Sequence, residues 1–211
     1  MKWFIFRQML WAGMLMAGVL SSLAQTRHDE KLEKYKTIWN SLVPSYNKLQ
    51  YAGSMGLLSF GVGWDYGKKN QWETDLFIGY LPKFDGKEGH VTFTLKENYI
   101  PWKKTFGKER WLAEPLTVSL YINKILGEEF WDKEPDRYPD RYYGVATNLR
   151  FNLAFGQRIN YKIKPVGLSN QIGLFYEFAT NDLYVISYFT NKYLSLTDIF
   201  SLSVGIKFQF M

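Results

Sequence analysis

Side chains of an extended chain point alternately to two faces, and in this sequence that alternation is strictest over the last eleven residues. In Phe200-Ser-Leu-Ser-Val-Gly-Ile-Lys-Phe-Gln-Phe210, residues Leu202, Val204, Ile206, Phe208 and Phe210 share one face. Ser201, Ser203, Gly205, Lys207 and Gln209 share the other. Such a segment needs an apolar medium on one side and a polar one on the other. A soluble sandwich supplies the apolar medium as a core, whereas a membrane barrel supplies it as hydrocarbon.

The same rhythm extends back to residue 52. Leu58, Phe60, Val62, Trp64 and Tyr66 oppose Ser59, Gly61, Gly63 and Asp65. After the turn Gly67-Lys-Lys-Asn70, Trp72, Thr74, Leu76, Ile78 and Tyr80 oppose Glu73, Asp75, Phe77 and Gly79, so the two runs form a hairpin. Four further alternating runs cover residues 90–96, 116–123, 146–155 and 171–178, and residues 183–189 are apolar on both faces. With the terminal run, these predict an all-β fold: an antiparallel up-and-down barrel of about eight strands over residues 51–211. Residues 156–169 leave room for an extra strand, which makes ten the alternative count.

Charge follows the faces. Asp65, Glu73, Asp75, Lys96, Arg150, Glu177 and Lys207 all stand opposite the apolar set of their own strand. A Lys or Arg on a lipid-facing position costs about 2–4 kcal/mol at the bilayer midplane, so this segregation suits a transmembrane barrel with those seven residues in its lumen. An eight-stranded interior is just wide enough to be filled by side chains. Four acidic and three basic lumen groups pair and block it, which argues against a general porin. Aromatic residues make up 18% of the chain, and Trp64, Tyr66, Trp72 and Tyr80 lie near strand ends, as interfacial girdles do.

Over residues 52–210 this pattern, closing on a strand that ends in Phe210, resembles the small eight-stranded outer-membrane β-barrel proteins of bacteria. The likeness is one of pattern and carries no subfamily motif. It implies a Gram-negative outer-membrane location, contact with outer-membrane lipid and lipopolysaccharide, and a role in the cell envelope.

The N-terminal region is expected to direct export. Lys2 and Arg7, the apolar run Leu10–Leu20 and the small-x-small sequence Ser22-Leu23-Ala24 predict a signal peptide over residues 1–24. Without it the formal charge falls from +6 to about +4, too mild and too dispersed for a nucleic-acid partner. In the segment 25–50, Leu32, Tyr35, Trp39 and Leu42 recur at helical spacing until Pro44, which predicts an amphipathic helix. The chain has no cysteine, so disulfides and thiol chemistry are excluded. Two histidines and scattered carboxylates give no metal-ligand pattern, and no phosphate-binding glycine loop calls for a cofactor.

Residues 125–141 are the most distinctive stretch between strands. Phe130, Trp131, Arg137, Tyr138, Arg141 and Tyr142 are candidates for a protein-interaction loop, because aromatic and Arg side chains anchor binding surfaces. An envelope-structural or interaction role is therefore the leading expectation, with no catalytic residues assigned. One alternative is a lipid A-modifying enzyme, a deacylase or acyltransferase. Its deacylase echo is His90-Val91-Thr92, where the resembling enzymes carry Ser in place of Thr. The outer-membrane palmitoyltransferase is similar in pairing a helix with eight strands and in its ending, Lys207-Phe-Gln-Phe210, but this chain has no Asp-Ser dipeptide. A second alternative is a periplasmic lipid-binding barrel with its apolar face turned inward.

Overall fold

The computed structural model describes residues 31–83, 89–127, 148–166, 169–191 and 193–210. The chain divides into two compact units, Met1–Val43 and Pro44–Met211. In the first, residues 31–41 are helical, and Leu32, Tyr35, Trp39 and Leu42 are exposed. The expected leader, 1–24, lies outside the described residues.

The second unit is an antiparallel sheet of nine strands: β1 (Tyr46–Ala52), β2 (Leu58–Tyr66), β3 (Trp72–Leu81), β4 (His90–Tyr99), β5 (Lys104–Phe106), β6 (Trp111–Leu126), β7 (Leu149–Val166), β8 (Ser169–Asn181) and β9 (Ser201–Gln209). β9 pairs with β1, and β4 pairs with β6, so eight strands close into a barrel. β5 is an extra strand, paired with the start of β6. Following paired residues from Tyr46 through Gly63, Asp75, Lys96 and Tyr121 leads to Asn152 on β7. The opposite way round, through Gln209 and Gln171, leads to Lys162, ten residues further along β7. That stagger, at about 3.3 Å per residue against eight strands about 4.8 Å apart, tilts the strands by about 40°.

Three features differ from the sequence expectation. β1 was hidden inside the segment assigned to the N-terminal helix, since Tyr46-Asn-Lys-Leu-Gln-Tyr51 is too short and too polar to announce itself. Residues 183–189 are not a strand; they belong to a helix, α1 (Asp182–Thr190), whose N-cap Asn181 accepts a hydrogen bond from the Tyr184 backbone N–H. Its β-branched and aromatic residues read as strand, but a run apolar on both faces would have left no polar face for the lumen. Residues 156–166 continue β7 instead of adding a strand. One strand gained and one lost leave the count at eight.

The gain of β1 also reverses the ends of the barrel. β1 starts and β9 finishes at one end, here the terminal end, with the connections 67–71, 100–110 (which carries β5) and 167–168. The connections 53–57, 82–89, 127–148 and 182–200 join strands at the other end. Without β1, an even strand count starting at residue 58 would set the 82–89 and 127–148 connections beside the termini. The corrected strand order puts them opposite.

Candidate functional site

The barrel is built inside out relative to a soluble protein. Leu120 is 63% exposed and Leu174 58%, and Phe60, Leu76, Ile78, Leu95, Phe151, Leu202 and Val204 also face outward. Asp75 and Glu73, by contrast, are 0% and 1% exposed. Tyr66, Trp72, Tyr99, Trp111 and Tyr161 lie on the outer face at the terminal end, with Trp72 and Tyr99 rings 4.6 Å apart and Trp111 and Tyr161 rings 4.7 Å apart. Tyr51 and Tyr80 lie outward at the opposite end. The eight residue steps from Trp72 to Tyr80, at about 3.4 Å each and tilted about 40°, put these levels about 21 Å apart.

Among the described residues, eight buried charged side chains balance inside: Lys48, Lys96, Arg158 and Lys207 against Glu73, Asp75, Glu114 and Glu177. Glu73 is the hub. Its Oε1 accepts from Arg158 Nη1 (2.7 Å) and Lys207 Nζ (2.6 Å), and its Oε2 from Arg158 Nη2 (2.9 Å) and Lys48 Nζ (3.0 Å). Lys48 also donates to Asp75 at 2.7 Å, and Asp75 further accepts from the Tyr46 hydroxyl (2.6 Å) and Asn98 (2.7 Å). Arg158 Nη1 lies 3.1 Å from Glu114. A second pair, Lys96 to Glu177 at 2.5 Å, stands apart from this hub. Toward the end opposite the termini the lumen becomes uncharged, with Met55, Phe77, Tyr121, Ala154 and Ala179 packed together among buried Ser59, Thr92, Thr94 and Asn123. The Thr92 hydroxyl donates to the Met55 carbonyl, which pins the β1–β2 turn in that mouth.

Steric fit fills what charge does not. Tyr46 faces Gly63 across β1 and β2, and a Cβ at Gly63 would collide with the Tyr46 ring. Phe77 faces Gly61 in the same way. At the terminal end a cavity of about 260 Å³, lined by Asp65, Lys69, Lys103, Glu114, Asn160 and Lys207 among others, runs in to the ion network.

Of the residues assigned to the lumen from sequence, Glu73, Asp75, Lys96, Glu177 and Lys207 are buried inside the barrel. Asp65 is half-buried at the terminal mouth. Arg150 is half-buried near the other end, its Nη1 donating to the Leu149 carbonyl at 3.0 Å. Lys48, Glu114 and Arg158 escaped the sequence reading. Lys48 went with the unrecognised β1, and Arg158 with the unassigned half of β7. Glu114 was masked by a bulge between Glu114 and Thr117, where Pro115 sits. Extending the alternation of residues 116–123 backwards across that bulge assigns Glu114 to the wrong face. The interaction-loop candidates Phe130, Trp131, Arg137, Tyr138, Arg141 and Tyr142 lie outside the described residues.

The deacylase echo is not assembled as a nucleophile. His90 starts β4 at the end opposite the termini, while Thr92 is buried with its hydroxyl hydrogen committed to Met55. Among the described residues no group of three or more His, Asp or Glu side chains is placed to hold a metal ion. Taken together, fold and lumen define a small closed β-barrel with a charge-balanced, filled interior. Compared with known proteins, the sequence matches no family model and none of the curated proteins.

Proposed function

We propose that this protein is a small outer-membrane β-barrel of a Gram-negative envelope, with a structural or protein-interaction role and no general pore. The observation that carries this reading is the inversion of sidedness: large aliphatic and aromatic side chains cover the outside, and four Lys or Arg residues with four carboxylates fill the inside. In water such an exterior would be one continuous apolar patch far beyond what monomeric soluble proteins tolerate. In a bilayer it is the required surface, with aromatic levels about 21 Å apart against an apolar band of about 25 Å. The two longest connections, 127–148 and 182–200, leave the end opposite the termini, which supports placing that end outside, while the terminal end carries 67–71, 167–168 and the eleven-residue 100–110. On that sidedness β6 ends and β7 begins on the exterior side, lipopolysaccharide surrounds the outer half of the belt, and the sequence between these strands, with Phe130, Trp131 and Arg137, is the candidate for contact with a protein partner. A lipid carrier needs an apolar lumen, and this lumen holds the ionic groups.

Nitroxide labels at Phe151, Leu153 and Val204, with the protein reconstituted in vesicles, test the reading. Strong relaxation by lipid-soluble oxygen and weak relaxation by a water-soluble nickel complex are expected. Water-like accessibility at all three sites, or recovery of the protein in a detergent-free periplasmic supernatant, would refute it. Lipid A mass profiles of deletion and wild-type cells test the enzymatic alternative, and an unchanged acyl pattern is expected.

A further inference from the structure

Among the described strand residues, one carboxylate lies on the outer face. Glu97 on β4 lies on the outer face, between outward Leu95 and Tyr99. Its Oε1 accepts from the Tyr66 hydroxyl at 2.5 Å and its Oε2 from the Thr74 hydroxyl at 2.6 Å. Tyr66 and Thr74 are themselves 3.1 Å apart. Thr74 and Glu97 sit one pleat inside the Tyr66, Trp72 and Tyr99 level, and the Tyr66 hydroxyl reaches in to them from that level.

The hydrogen count of the trio is short. Two hydroxyl hydrogens serve four oxygens, and both are committed to the carboxylate. The Tyr66–Thr74 contact then has no hydrogen of its own, and Glu97 has no ion-pair partner among the described residues. The cluster is an acceptor-rich nest that lacks donors and positive charge. It opens on an oblique outer groove of about 730 Å³, whose apolar lining includes Leu95, Leu120, Ile122, Phe151 and Leu153 and which reaches Val185 and Ile186 of α1. A polar nest at one end of an apolar trough has the layout of an amphiphile site.

We propose that Glu97, Tyr66 and Thr74 bind the primary ammonium headgroup of a phospholipid in the leaflet on the terminal side, with one acyl chain lying in the groove. The inference rests on the membrane reading above. A primary ammonium brings three N–H donors and one positive charge, which are what the nest lacks. A quaternary ammonium brings the charge without donors, and the anionic glycerol headgroup brings hydroxyl donors but no positive charge to meet the Glu97 carboxylate.

The test is native mass spectrometry of the full chain released from nanodiscs made of phosphatidylethanolamine, phosphatidylcholine or phosphatidylglycerol. Wild type is expected to retain one phosphatidylethanolamine through delipidation, and about tenfold less of either other lipid, as loss of a charged hydrogen bond implies. Glu97→Gln should reduce phosphatidylethanolamine retention about tenfold, and Tyr66→Phe with Thr74→Val should lower it as well. Cold-SDS gel mobility confirms that each variant is folded. Equal retention of the three lipids by wild type, or undiminished phosphatidylethanolamine on folded Glu97→Gln, overturns the proposal while leaving the membrane reading intact. Failure of wild type to enter nanodiscs at all overturns both.

Discussion

Replacing Glu73 by Gln is the sharpest probe of what holds the barrel interior. The side chain keeps its shape, but the lumen changes from four positive and four negative residues to four and three. Arg158 loses its two-pronged acceptor, and Lys207 loses its 2.6 Å partner. Lys48 keeps Asp75 at 2.7 Å. Removing one partner of a buried ion pair costs about 3–5 kcal/mol, and the surviving amide oxygen places Glu73→Gln near the lower end, at about 3 kcal/mol. Against a typical total stability of about 5–15 kcal/mol this is a large share. Adding Lys207→Met to Glu73→Gln restores three against three. The double variant should then be more stable than the sum of the single effects predicts, by about 1–3 kcal/mol. Urea unfolding in lipid vesicles, followed by tryptophan fluorescence, measures all four corners of the cycle. A Glu73→Gln effect below about 1 kcal/mol, or effects that simply add, would show that the network is not what closes the lumen.

Two further outcomes test fit and sidedness. Gly63→Val should destabilise the barrel by about 1–3 kcal/mol in the same unfolding assay, because a Cβ there meets the Tyr46 ring on the paired strand. Leu120→Arg, at a 63% exposed position in the middle of the outer belt, should cost about 2–4 kcal/mol in vesicles, whereas a surface position in water would absorb the change within about 0.5 kcal/mol.

The barrel was legible in the sequence because period-two segregation needs no knowledge of partners. Leu149, Phe151, Leu153 and Phe155 against Arg150, Asn152 and Ala154 specify two faces wherever the strand sits. What could not be read locally was anything set by register or by a break in the period. β1 contributes seven residues and gains its meaning only from Gly63 and Lys207 on its neighbours. Glu114 points inward because the bulge at Pro115 resets the alternation. α1 did leave a signal, the Asn181-Asp182 helix start, which its Val, Ile and aromatic content outweighed. The Glu97 nest was invisible for the opposite reason: alternation put it on the apolar face, and only the convergence of three strands gives that carboxylate its hydroxyl partners.

The alternating pattern alone suits a soluble barrel turned one way or a membrane barrel turned the other, and steric complementarity on the polar face supports the membrane reading proposed above. A solvated face has no need to match volumes across strands, since water fills any gap. Here the polar face does match them: Tyr46 lies over Gly63, Phe77 over Gly61 and Phe175 over Gly205. It also matches charge, residue for residue, around Glu73. Both constraints are those of an enclosed space. The outer face shows neither, and its Leu, Ile, Val and Phe side chains need only a fluid that makes no demands of shape. On the proposed membrane reading hydrocarbon is that fluid, and the outward Glu97 carboxylate comes with two hydroxyl donors of its own.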